Sequence, residues 1–210
     1  MPLVSQIQSL AQSNRLARHI RSQTADWPFE ILEISRDTQK LQLFVDFYNS
    51  SDQLSWQLTL ERFQRRLGPN GKAFLMVEKQ TDAVVGTVAL KQTALGRLKA
   101  AEMGYFMLSP THKGARSLQS ALQLSLRPMI AARHYDCVYG TVHSCNRGIN
   151  RLWSWSKYAE FAFEAPSPYS ENQLNYYIAL VNNGKYTLSA QTEALKQKFL
   201  HQTPVTSLHS

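Results

Sequence analysis

The sequence predicts a mixed α/β (α+β) fold, a sheet flanked by helices in one main domain, and three observations lead there. Strand-length apolar or alternating runs exchange with segments of helical period along most of the chain. Three of the strand-like runs, 73–78, 84–91 and 99–108, follow one another with only turn residues between them. With 210 residues, 43% hydrophobic and 18% charged, the chain has the composition of an ordinary globular protein with a real core.

The elements follow in order. Residues 3–22 carry Leu3, Ile7, Leu10, Leu16 and Ile20 in a roughly helical pattern beside Arg15, Arg18, His19 and Arg21. This predicts an amphipathic helical extension over 1–26, packed on the domain or on a second subunit; the latter would make a homodimer. Trp27-Pro28 punctuates, 29–34 reads as a first strand, and Asp37 is placed to cap a helix running to about residue 48. A second helix is expected over 53–67, where Leu54, Leu58, Phe63 and Leu67 share a face, and Gly68-Pro69-Asn70-Gly71 ends it. Strands 73–78 and 84–91 form a hairpin around 79–83, and a turn at Gly96 leads into strand 99–108. A helix over 117–133 contains Pro128, which should kink or divide it. Strand 135–142, helix 146–158, and strands 160–165 and 173–181 complete a domain spanning 27–184, and 185–210 is a C-terminal helix with a frayed tail.

Composition excludes several classes. No run of about 18 apolar residues exists, so a membrane-spanning helix is not expected. The N-terminus lacks the continuous apolar core of a secretory signal, which makes the cytoplasm the expected location. Cys137 and Cys145 are too few for a disulfide framework, and no Cys/His spacing fits a metal site, so no metal is expected. The net charge of +8 would attract polyanions, yet the basic residues are spread out and no nucleic-acid motif is present; nucleic acid is therefore not the expected partner. Arg62, Arg65 and Arg66 read as the solvated face of a helix.

The most informative segment is 102–122, where an apolar run passes through Ser109-Pro110 and a glycine-containing loop into a helix. Such a loop aims backbone N–H groups outward at the positive end of a helix dipole, which suits phosphate and suggests a nucleotide-type cofactor. The residue order resembles the Gcn5-related N-acetyltransferase (GNAT) superfamily, whose fourth strand leads into Gln/Arg-x-x-Gly-x-Gly/Ala over the pyrophosphate of acyl-coenzyme A. Lys113 takes the first place of that motif, Gly114 and Ala115 the next two, Arg116 the central glycine and Leu118 the last. Ser117 lies between. A second segment, strand 135–142 followed by 143–158, is similar to the family's Asn-x-x-Ser/Ala-x-Arg-Leu/Val through Asn146, Arg151, Leu152 and Tyr158, with Ile149 and Lys157 departing from it. In strand four, Ala101-Glu102-Met103-Gly104-Tyr105 is similar to the Glu-Ile-Gly-Tyr of the ribosomal-protein N-acetyltransferase branch.

The resemblance covers about 29–182 and implies a mixed, mostly antiparallel central sheet flanked by helices, with acetyl-coenzyme A or another acyl-coenzyme A as donor and a primary amine as acceptor. It implies that peptide groups near Phe106, Met107 and Leu108 polarise the thioester carbonyl. Lys113, Gly114, Ala115, Arg116, Ser117, Asn146 and Arg151 would then bind the coenzyme. Direct transfer needs a neutral amine and a proton for the leaving thiolate. Glu102 is the expected base, standing on the same side of an extended strand as Gly104 and Phe106, against the alternative of a surface pair with Lys99 or Arg97. The family's leaving-group acid is a tyrosine, but Trp153 holds its place, so Tyr158 or His143 would have to serve.

Arg116 adds a guanidinium where the family has glycine, which either serves phosphate or marks a changed site. Two alternatives to an acyl-coenzyme A enzyme therefore stand. One is a synthase of N-acyl amino acids or acyl-homoserine lactones that takes its chain from acyl carrier protein. The other is a non-catalytic ligand- or protein-binding module of the same fold.

Overall fold

A computed structural model of the chain describes residues 27–50, 57–109, 120–121, 124–125, 127–129, 131–156, 159–167, 173–179 and 185–200. The expected extension over 1–26 and the loop 113–117 lie outside the described residues. Seven strands form one sheet in the order β1-β2-β3-β4-β5-β7-β6. They are β1 (Phe29–Glu33), β2 (Lys72–Glu78), β3 (Val84–Leu95), β4 (Leu98–Leu108), β5 (Cys137–His143), β6 (Ala159–Pro166) and β7 (Gln173–Ala179). Every neighbouring pair is antiparallel except β4 and β5. The helices are α1 (Thr38–Asn49), α2 (Leu60–Leu67), α3 (Arg147–Ser156) and α4 (Leu188–Phe199), with further helical residues between 120 and 131.

Local chemistry sets the element ends. Asp37 caps α1 as expected, its carboxylate accepting from the Lys40 N–H at 3.0 Å. The second helix differs from its prediction: α2 begins at Leu60 because the Thr59 hydroxyl accepts from the Arg62 N–H and Thr59 itself is extended. Leu58 is buried ahead of the helix rather than on its face. Strand β3 runs four residues beyond its predicted end at 91, and it turns into β4 through Gly96-Arg97, with φ 57° at Gly96. A glycine with positive φ at the first position of a two-residue loop matches the right-handed twist of the strands it joins.

Both sheet faces are covered. On one face Trp27, Met76, Val88, Leu90, Met103, Leu124, Val138 and Trp153 form a core under α3 and the helical residues between 120 and 131. On the other face, α1 and α2 bury Phe44, Phe63, Leu41 and Leu67 against Ala73, Leu75 and Ala89, with the Phe44 and Phe63 rings stacked at 4.4 Å. Helix α4 packs Leu195 and Phe199 over Leu95, Ala100, Tyr139 and Tyr176. Ala89 and Leu95 lie six residues apart on β3, so α1/α2 and α4 share this second face. Among the described residues no helix is long and apolar enough to cross a membrane.

This packing carries a pH prediction. Burial pushes the Tyr48 hydroxyl from its ordinary 10 up to about 12, and the Cys137 thiol from 9 to about 12. Both groups are neutral when protonated and both are raised in the folded state. Their stabilisation is therefore complete below pH 9 and is lost as the pH climbs toward 12. Thermal melts across that window should show a steady fall that Tyr48→Phe and Cys137→Ala flatten; an unchanged slope in both variants would refute the assignment.

Candidate functional site

Strands β4 and β5 part company near their middle. Their parallel ladder runs from Ala100↔Cys137 to Met103↔Gly140, after which β5 continues beside β7 and β4 beside β3. Residues 104–108 of β4 thus present an edge with no strand partner among the described residues. The same stretch carries a bulge, because Ala89 faces Gly104 and Thr87 faces Met107, leaving one β3 residue opposite both Tyr105 and Phe106. Tyr105 takes φ 55°, and its carbonyl accepts a 3.0 Å hydrogen bond from the buried Thr87 hydroxyl.

The bulge corrects one expectation. Simple alternation puts Phe106 on the side of Glu102 and Gly104, but the extra residue reverses the faces beyond it. Tyr105 enters the α1/α2 core, whereas Phe106 and Leu108 pack on the opposite core with Met103. Met107 lies opposite Thr87, half-buried.

Glu102 is paired, though not with Lys99 or Arg97. Its carboxylate is 2.8 Å from the Lys91 ammonium, and the two residues stand directly opposite each other on β3 and β4. Lys99 lies on the other sheet face, its ammonium 5.5 Å from the Tyr135 ring, and Arg97 sits in the turn. The side chains of Glu102 and Lys91 are 26% and 19% exposed, so the pair is accessible yet sheltered. Gly104 keeps the space beside it open: a Cβ there would lie 3.6 Å from the Lys91 ammonium and 3.7 Å from the Glu102 carboxylate. Lys91 also sits 5.2 Å from the centre of the Tyr105 ring, which Phe44, Tyr48 and Phe63 meet edge-on. The Tyr105 hydroxyl is buried, with no hydrogen-bond partner among the described residues. The floor on this face is therefore a carboxylate, an ammonium and an aromatic wall, lying where the two strands separate.

The far side of the split is built by β5 and α3. Gly140 is required there because Trp153 occupies the place of its side chain, with Cη2 2.2 Å from where a Cβ would be. Trp153 is buried core, 5.4 Å from the Tyr177 ring, and supplies no acid. Asn146, an expected coenzyme ligand, uses its side-chain oxygen to accept from the Ile149 N–H at 3.2 Å and so caps α3. His143 is exposed at the end of β5. Arg151 lies in α3, its side chain outside the described residues; Lys113, Gly114, Ala115, Arg116, Ser117 and Tyr158 also lie outside them.

Sequence reasoning missed Asn150. Its amide donates to the carbonyls of His143 and Asn146, both at 2.9 Å, and its oxygen accepts from Asn175 and the Tyr177 hydroxyl, again at 2.9 Å. One side chain thereby locks the β5 end, the turn, α3 and β7. The available signal was its position four residues after Asn146, on the same helix face. Cys145 is exposed, while Cys137 is buried with its thiol pushed up to about 12, which removes it as a nucleophile. Among the described residues no three His, Cys, Asp or Glu side chains gather as a metal site.

No family model matches this chain, and no curated protein matches it. Solved structures do. A spermidine N-acetyltransferase chimera from Vibrio cholerae and hSSAT superposes with a TM-score of 0.55 at 11% identity, over 80% of this chain and 99% of that one. Arabidopsis thaliana NAA60, solved with a bisubstrate analogue, gives 0.57 at 12% identity over 73% and 98%. An acetyltransferase of the GNAT family from Streptococcus pneumoniae gives 0.54 at 13% over 73% and 99%.

Proposed function

We propose that this chain, a divergent example of the GNAT fold, transfers an acyl group, acetyl by default, from acyl-coenzyme A to a primary amine, with 27–184 as the acyltransferase domain and 1–26 and 185–210 as its extensions. The observation that carries the reading is the parting of β4 from β5 beyond Met103↔Gly140, which leaves the 104–108 edge beside Glu102 without a strand partner among the described residues. Unpaired peptide N–H groups on such an edge are fixed donors for the charge that develops on a thioester oxygen. The donor would enter along this edge, with its pyrophosphate on the loop of Lys113, Gly114, Ala115, Arg116 and Ser117 and with Asn146 and Arg151 beside it. The acceptor would approach on the face of Glu102 and Gly104.

The amine nitrogen attacks the thioester carbon, the C–S bond breaks, and the amine proton passes to Glu102. The departing thiolate needs a proton of its own. Tyr158 and His143 are the side chains we assign to that step, with solvent as the other source, since Trp153 has no acidic hydrogen to give. Pairing with Lys91 gives Glu102 a second reading, as a purely structural ion pair in a non-catalytic module.

Calorimetric titration with acetyl-coenzyme A and a long-chain acyl-coenzyme A decides between them. Micromolar binding of one donor is expected, weakened about tenfold or more by Lys113→Ala/Arg116→Ala, because charge-assisted phosphate contacts are lost. Failure to bind either donor would remove the coenzyme reading and leave transfer from a carrier protein or the non-catalytic module.

A further inference from the structure

The strip of β3 and β4 between the α1/α2 layer and α4 is uneven in charge. Lys91 and Glu102 neutralise each other, but α4 brings a third charged group, Lys198, to the same strip. The Lys198 ammonium donates to the Thr93 hydroxyl at 2.8 Å and to the Ala94 carbonyl at 3.1 Å. Both partners are neutral, they use two of its three hydrogens, and among the described residues no carboxylate is ion-paired to it. The position is half-buried; burial works most strongly against its protonated form, the Glu102 carboxylate favours that form, and the nearby Lys91 charge opposes it. The docking of α4 holds it there: Leu195 is fully buried, and the Phe199 ring lies 5.7 Å from Tyr139 and 4.9 Å from Tyr176. Two ammoniums, Lys91 and Lys198, thus share the single Glu102 carboxylate, and the net positive charge left on this half-buried group suits an anion.

We infer that Lys198 is the carboxylate-binding residue of the acceptor site, so that the acceptor is a short amino-carboxylate with its amine toward Glu102 and its carboxylate on Lys198. The inference rests on the acyltransferase reading of the same cleft. Spacing supports it, because Thr93 lies two residues along β3 from Lys91, about 7 Å, and a dipeptide in extended form spans about the same. Charge supports it too. A polycationic acceptor would set its second ammonium against Lys91 and Lys198, whereas a zwitterion opposes each of its ends to a complementary group.

Glycylglycine and glycylglycinamide are matched probes that differ only in the carboxylate. Calorimetry on the full-length protein should show glycylglycine binding about tenfold tighter or more. Lys198→Met, which keeps an unbranched side chain but loses the ammonium that lies 5.4 Å from the centre of the Phe199 ring, should abolish that ratio, and Lys198→Arg should retain it. Circular dichroism and melting of each variant report whether α4 stays docked. Equal affinities in the wild-type protein, binding of neither probe, or a preference that survives in Lys198→Met would each overturn the inference. Thiol release from acetyl-coenzyme A, followed in the same solutions, tests the transferase reading separately: a carboxylate preference without thiol release would keep the anion seat and discard the reaction.

Discussion

Glu102→Gln is expected to lower kcat for amine-dependent thiol release by about 10²–10⁴-fold, the usual contribution of a positioned general base. Affinity for acetyl-coenzyme A should stay unchanged, because Glu102 is on the face opposite the core that receives Phe106 and Leu108. The isosteric amide keeps the shape and still offers Lys91 an oxygen, so the 2.8 Å contact survives in weaker form and the sheet register has no reason to change. Stopped assays with saturating amine, read beside a calorimetric titration, separate rate from binding. A variant with wild-type kcat would show Glu102 to be a structural partner of Lys91 and would move the proton transfer to water or to His143. The pair also makes Lys91 informative. Replacing it by methionine removes the 2.8 Å ion pair but leaves the carboxylate in place, so kcat should stay measurable if Glu102 acts as the base and the pair is not itself required.

Gly140→Ala is the second large effect, this time on stability. The new methyl would sit 2.2, 2.8 and 2.9 Å from three atoms of the Trp153 indole, distances that packed atoms do not tolerate. Trp153 is enclosed by Tyr177 and the α3 core and has nowhere to swing, so either α3 lifts from β5 or the sheet distorts. A loss of about 1–3 kcal/mol is expected, which for a chain of this size lowers Tm by roughly 2–4 °C per kcal/mol. Trimming the indole in Gly140→Ala/Trp153→Leu should recover part of the loss, with a coupling of about 0.5–3 kcal/mol in the double-mutant cycle. Additive effects, or a single variant as stable as wild type, would contradict the close packing. Gly140 also closes the β4–β5 ladder at Met103, so the single variant should weaken donor binding as well.

Particular elements show how far the chain could be read in advance. Asp37 was legible as a cap because a short acid before an apolar period has few other uses, and the paired carboxylate–Lys40 N–H bond is local. Thr59 was not, because the apolar spacing of Leu54, Leu58 and Phe63 continues through it and only the burial of Leu58 outside the helix separates the two possibilities. Lys91 as the partner of Glu102 required a register, which depends on where the Gly96-Arg97 turn closes the β3–β4 hairpin. Asn150 required four separate segments to converge on one side chain. Lys198 lay more than a hundred positions from Thr93 and read only as a charge on a terminal helix.

By itself the sequence determined the order of strands and helices and their one-sided apolar faces, since period and turn chemistry act over a few residues. Tertiary structure decided which face each β4 residue takes beyond Gly104. A bulge of one residue reverses all later alternation while barely altering the local pattern, and the positive φ of Tyr105 is held by the Thr87 hydroxyl and the α1/α2 core rather than by its own preference. It also decided where β4 leaves β5, because Trp153 must stand on Gly140, and contacts between distant residues leave no period in the sequence.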